Sequence, residues 1–235
     1  MAALAGVFDG ICLCGSTDVP EEPAPEADEY MMVSMTYNVL DDFDGWMAAF
    51  EQLEKTGFHR DLGCVKSYVG KYEESAGRIF KKIEAYVHVV HVFRKERYDD
   101  ARDAFSGRRA PYVDALEQVF SNVVSELDDL AGGDAEVLVS LHHGVDEFSQ
   151  WFEDYAAKEM AGAYKALAPA KAVVGEVMPG CAGAHLVYLL PKSAEAHLQI
   201  DFDAEPYVGG EDLIKNHKVF RPYGSSKSAL VFRKD

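Results

Sequence analysis

The 235-residue sequence predicts an α+β protein built from two tandem copies of one unit, each running strand, helix, strand, strand, helix. Three observations predict it. The phrase VLDDFDGW, ending at Trp46, returns as GVDEFSQW, ending at Trp151, and the two copies hold both tryptophans of the chain. Val33–Trp46 lies on Leu138–Trp151 without a gap at an offset of 105, which also carries Phe50 onto Tyr155 and Val69-Gly70 onto Val174-Gly175. With small length changes, Val87–Lys95 lies on Ala184–Lys192, placing His88 on His185, and Pro111-Tyr112-Val113 lies on Pro206-Tyr207-Val208.

Each element has a local reason. Tyr30–Asn38, YMMVSMTYN, is rich in strand formers. Phe43, Trp46, Phe50 and Leu53 then recur at helical spacing, with Asp41 or Asp42 as the N-cap and Gly57 as the stop. Cys64–Tyr72 and Ile83–Phe93 read as strands, the second being the strongest strand signal in the chain. Pro111 suits the first position of a helix, and Leu116, Phe120, Val123, Leu127 and Leu130 give it an apolar face until Gly132-Gly133. The order then restarts: strand Ala135–His143, a helix through Phe148, Trp151, Tyr155 and Met160, strands Lys171–Val177 and Ala184–Leu190, a short helix near Leu213–His217 and a last strand Ala229–Arg233. The expected organisation is a tail at 1–29, a first repeat at 30–133 and a second at 134–235. Two full units need eight strands and only seven are legible, so either Ala135–His143 serves both halves or one strand is hidden.

The net charge is −17, which disfavours nucleic acid and anionic membranes as partners. Residues 15–29, GSTDVPEEPAPEADE, have linker composition, and no Lys or Arg precedes Lys55, unlike an organellar presequence. No apolar run approaches a membrane span, and the chain reads as cytoplasmic. Cys12, Cys14, Cys64 and Cys181 are too few for a disulfide scaffold, and Cys12-Leu13-Cys14 lacks the further ligands of a zinc site. No phosphate-binding loop, dinucleotide fingerprint, zinc-protease helix motif or serine nucleophile elbow occurs.

In VSMTYNVLDDFDGWMAAFEQLEK, EAYVHVVHVFRKERYDDARDAF, LVSLHHGVDEFSQWFEDY and AHLVYLLPKSAEAHL the chain resembles the dimeric α+β barrel proteins, most of all the antibiotic-biosynthesis-monooxygenase-type domains. The resemblance spans residues 30–233 and rests on pattern and topology, with no catalytic motif shared. It implies two ferredoxin-like repeats whose antiparallel sheets pack as a pseudo-dimeric barrel. It also implies a small aromatic or fatty ligand in a cleft between sheet and helices, oxidised or cyclised without a cofactor; some such domains bind haem.

The candidate catalytic residues are His88 and His185, equivalent strand histidines able to serve as general bases or as metal or haem ligands. The plainer reading is a hydrogen-bonded core histidine. Tyr37, Asn38, Trp46 and Trp151 are expected along the clefts, the indoles chiefly as packing. His142 and His143 end a strand and point to opposite faces, which makes them a poor chelate. His91 falls on the face opposite His88. Tyr112 and Tyr207 each follow a proline at an expected helix start, where backbone N–H groups can hold an anionic oxygen. Arg94–Arg109 is a basic belt able to receive the acidic tail or a second copy of the chain. Two functions follow: a small-molecule barrel, such as a cofactor-independent monooxygenase or cyclase of apolar aromatic substrates, or a scaffold whose tail and belt make protein contacts.

Overall fold

Strand alternation is the feature that sorts this chain's side chains, and the computed structural model shows how. It describes residues 29–39, 42–75, 83–107, 109–128, 134–145, 147–158, 171–177, 183–192 and 220–235. The strands are β1 (Tyr30–Asn38), β2 (Cys64–Ser75), β3 (Ile83–Arg94), β4 (Glu117–Asp128), β5 (Val137–Gly144), β6 (Lys171–Val177), β7 (Gly183–Leu190) and β8 (Phe220–Lys234). The helices are α1 (Phe43–Lys55), α2 (Phe58–Asp61), α3 (Tyr98–Phe105) and α4 (Phe148–Lys158). Asp42 caps α1, accepting a hydrogen bond from the Gly45 amide at 2.9 Å, and Gly57 follows it at φ 78°, as a left-handed stop requires.

All pairings are antiparallel, and they close the sheet in the order β1-β3-β2-β8-β5-β7-β6-β4. The ring reads as β4-β1-β3-β2 followed by β8-β5-β7-β6, joined at β2–β8 and β6–β4. Among the described residues no helix is long and apolar enough to cross a membrane.

Two sequence expectations need correction. The helix expected from Pro111 to Leu130 is the strand β4, and the helix before it is α3, inside the charged stretch 94–109. A bulge between Val123 and Ser125 in β4 breaks the two-residue alternation, and what remains mimics helical spacing. β4 supplies the missing eighth strand, so β5 need not serve both halves. β8 is also longer than the expected Ala229–Arg233. Residues 1–28 of the tail, the Leu213–His217 helix, Tyr207, Cys12, Cys14 and Cys181 lie outside the described residues.

Inside the barrel sits a core of Met32, Tyr68, Val90, Val92, Leu138, Val173, Val187 and Leu189. Outside it, one cluster holds Val33, Tyr37, Trp46, Phe50, Val89, Phe93, Phe105 and Tyr112 beneath α1 and α3, and another holds Val139, Trp151, Val174, Leu186 and Tyr188 beneath α4. These faces expose a slip in the gapless match. It places Val33 on Leu138, yet Val33 packs outward and Leu138 inward. His88 stands opposite Thr36 and His185 opposite His142, so β1 and β5 correspond at an offset of 106 while α1 and α4 keep 105. A one-residue slip reverses every side chain of a strand.

Gly70 stands opposite His88, and Gly175 opposite His185. A Cβ at Gly70 would lie 1.9 Å from Ser228 Oγ and 2.7 Å from Ser228 Cβ; one at Gly175 would lie 2.9 Å from Ser121 Cβ and 3.0 Å from the Asn122 carbonyl oxygen. Gly70→Ala should therefore cost about 1–3 kcal/mol through overpacking of the interior. Urea denaturation checks this: a lowered midpoint with an unchanged slope is expected.

Candidate functional site

The described histidines divide between the two faces of the sheet. On the outer face of the first half, α1 and α2 hold Glu54 and His59 over β2 and β3, and the turn before β4 brings in Tyr112. His59 Nδ1 lies 2.6 Å from Glu54 Oε2, His59 Nε2 lies 2.6 Å from Tyr112 Oη, Tyr112 Oη lies 2.8 Å from His91 Nε2, and His91 Nδ1 lies 2.8 Å from Ser67 Oγ. His59, His91, Tyr112 and Ser67 are fully buried. The other oxygen of Glu54 meets Lys234 Nζ.

The direction of every hydrogen bond follows from the charge of Glu54. Partial burial pushes its carboxyl up, but hydrogen bonds from Lys234 and His59 outweigh that and hold it below the usual carboxylate range. Burial keeps His59 neutral against the pull of Glu54, and burial holds His91 far below the ordinary imidazole value, helped by His59 and Lys234. An ionised Glu54 can only accept, so His59 Nδ1–H donates to it and His59 Nε2 accepts from the Tyr112 hydroxyl. Tyr112 Oη then accepts from His91 Nε2–H, and Ser67 donates to His91 Nδ1. Burial, and then Cys64, Tyr37 and Glu54, drive the Tyr112 phenol well above its ordinary value. The result is a hydrogen-bond chain with all donors aimed toward a carboxylate at the edge of the core.

Aromatic rings surround this chain. Phe105 stacks on His91 with centroids 5.0 Å apart, Phe50 stacks on Trp46 at 5.6 Å, and Tyr37 lies between Trp46 at 5.8 Å and Tyr112 at 6.1 Å. Trp46 Nε1–H donates to the Pro111 carbonyl at 3.1 Å.

The inner face holds a second set. Ser34 Oγ lies 2.7 Å from His88 Nε2 and 3.4 Å from Ser140 Oγ; His185 reaches Ser121 through Nδ1 at 3.0 Å and Ser140 through Nε2 at 3.1 Å. His142 stands against His185 with ring centroids 4.3 Å apart, its Nδ1 3.3 Å from Glu117 Oε1. Burial, then the neighbouring His142, lowers His88 to about 3, and burial holds His185 well below its ordinary value.

His88 and His185 are thus interior barrel residues, and their expected position in the sheet–helix clefts is corrected; parity on β3 and β7 sends them inward. Tyr37, Trp46 and Tyr112 do meet in the first cleft, while Asn38 is exposed at the end of β1. No helix begins at Pro111, so Tyr112 has no helix N-terminus beside it, and its hydroxyl is engaged by His59 and His91. Trp151 is buried under α4 beside Phe148. Among the described strand positions the second half carries Tyr188 where the first carries His91. His59, Glu54 and Ser67 escape sequence reading: nothing in FHRD or in the helix repeat marks them, and only the alternation that separates His91 from His88 hints at the site.

A haem in this cleft would need an imidazole nitrogen open to iron. Both ring nitrogens of His59 and of His91 are engaged in hydrogen bonds, so these residues do not fit that group. Among the described residues no cluster of three or more His, Cys, Asp or Glu side chains could hold a metal ion.

No protein-family model matches the chain, and no curated protein is significantly similar to it. Solved structures do share its architecture. An inferred monooxygenase of Fusobacterium nucleatum is 9% identical, with a TM-score of 0.54 over 89% of this chain and 95% of that one. An anthrone oxidase-like protein is 15% identical, with a TM-score of 0.51 over 89% of this chain and 94% of that one. The fold is that of the dimeric α+β barrels, completed here within one chain.

Buried neutral histidines make stability depend on pH. Below the ordinary imidazole value of 6.5 the unfolded chain takes up protons that native His88 refuses until about 3, so stability is full above pH 6.5 and falls as pH is lowered through that window. Each such histidine contributes a slope of about 1.4 kcal/mol per pH unit. Denaturation at pH 7.5 and pH 5.5 should show this loss, and a His88→Gln, His185→Gln variant should show a shallower one.

Proposed function

We propose that this chain is a small-molecule-binding α+β barrel that removes a proton from an apolar aromatic substrate in the cleft beneath α1 and α3, as the first step of an oxidation needing no cofactor. We read the barrel as two ferredoxin-like repeats, 30–133 and 134–235, copied in tandem and preceded by an acidic tail, in a cytoplasmic protein. The repeated strand order supports that reading.

One observation carries the function: the Tyr112 hydroxyl sits in a hydrogen-bond chain whose donors all aim at ionised Glu54. A substrate carbon or hydroxyl acid beside Tyr112 gives its proton to Oη as Tyr112 passes its own to His59 Nε2 and His59 passes its Nδ1 proton to Glu54. The charge left on the substrate is balanced by the proton gained at Glu54, and Lys234 then faces a neutral acid. The substrate anion is the species that dioxygen oxidises: a methylene group becomes a carbonyl as one oxygen atom of O2 enters and the other leaves as water. Trp46, at 9% exposure, is less buried than Tyr37, Phe50, Phe105 and Tyr112, and is where a ligand enters. The likeness to an anthrone oxidase-like fold supports an aromatic carbon acid as substrate, and the chain's own residues supply the base.

A second reading, an assembly subunit without chemistry, is favoured by one observation: Trp46 and Trp151 fill the space under their helices. Ligand-induced thermal shift and oxygen uptake on a panel of anthrones and hydroxynaphthoquinones separate the two. Wild type should bind and consume oxygen, while Tyr112→Phe should still bind but turn over about 10²–10⁴-fold more slowly. No shift and no uptake in wild type supports the subunit; equal uptake in Tyr112→Phe removes the proton role.

A further inference from the structure

We infer that Tyr112 is a redox-active tyrosine, able to hold a long-lived neutral radical. The inference goes beyond the acid–base reading and needs no bound substrate.

One-electron oxidation of a phenol makes its hydroxyl a strong acid, so a tyrosine is readily oxidised only where a base takes the proton at that moment. Tyr112 has such a base. Its Oη lies 2.6 Å from His59 Nε2, and His59 Nδ1 lies 2.6 Å from Glu54 Oε2. Oxidation moves the phenolic proton to His59 Nε2 and the Nδ1 proton to Glu54, leaving a neutral phenoxyl, a neutral imidazole and a neutral acid; the electron leaves to a one-electron oxidant. The oxygen of the radical keeps the hydrogen bond from His91 Nε2–H at 2.8 Å.

The neighbouring tyrosine lacks this arrangement. Tyr37 donates to the Met35 thioether at 3.2 Å, a weak acceptor that cannot take the proton. Its ring instead bridges Trp46 and Tyr112. Trp46 is the outermost of the three, so a hole placed at its edge by an organic radical or a high-valent metal complex travels inward and is trapped at Tyr112. Full burial of Tyr112 keeps the radical from coupling with another.

The test uses the full chain with photoexcited tris(bipyridine)ruthenium(II) and persulfate, which generate the ruthenium(III) oxidant in solution. Wild type should give a tyrosyl signal by electron paramagnetic resonance that outlasts the brief signals of exposed tyrosines. Tyr112→Phe should lose that component, His59→Gln should lose it or shorten its life, and Trp46→Phe should slow its formation. High-field spectra of wild type alone add a check that needs no variant: a radical hydrogen-bonded at Oη has a lowered largest g value. A long-lived signal retained in Tyr112→Phe, or a wild-type g value of a free phenoxyl, overturns the assignment. Failure of the substrate panel leaves this result untouched, and the converse holds.

Discussion

Closure of the sheet at the β2–β8 and β6–β4 seams is the constraint on which the rest of this structure depends. A closed antiparallel sheet has no free edge, and it gives every strand residue one of only two destinations. Inward positions meet a narrow lumen that must be filled. Outward positions meet helices, and most of the buried aromatic rings gather there. Gly70 and Gly175 show how tight the lumen is, because each removes a side chain directly across from an interior histidine.

The same division governs polarity. A buried imidazole is tolerated only if its nitrogens find partners. Inside the barrel His88 and His185 meet serines, short side chains that fit between strands and hold no charge, so these two are locked rather than poised. Outside, the partners form a series that ends on an ionised carboxylate with Lys234 at its far side. In the inner set His185 has a serine at each ring nitrogen. The outer set has a direction, because one end is charged and the other is a hydroxyl.

That asymmetry separates chemistry from packing more sharply than the tryptophans do. Trp46 and Trp151 occupy similar places between a helix and the outer sheet face. What distinguishes the first half among the described residues is His91 on β3, met by His59 from α2 and Tyr112 from the turn before β4. A shared topology of this kind does not by itself fix a function, which depends on particular side chains.

By itself the sequence determined the element order of most strands, the capped helix α1, and the placement of His88 and His91 on opposite faces. These are local properties: periodicity, propensity and capping act over a few residues. Tertiary structure alone decided that β4 is a strand, since a bulge hides its alternation and only the partners β1 and β6 satisfy its backbone. It also decided that β1 and β5 correspond one residue away from the gapless match, because the register is set by which face must fill the lumen. And it decided the site. Glu54, His59, Ser67, His91 and Tyr112 come from separate elements, and no spacing along the chain encodes a hydrogen-bond chain that exists only after the sheet has closed beneath its helices.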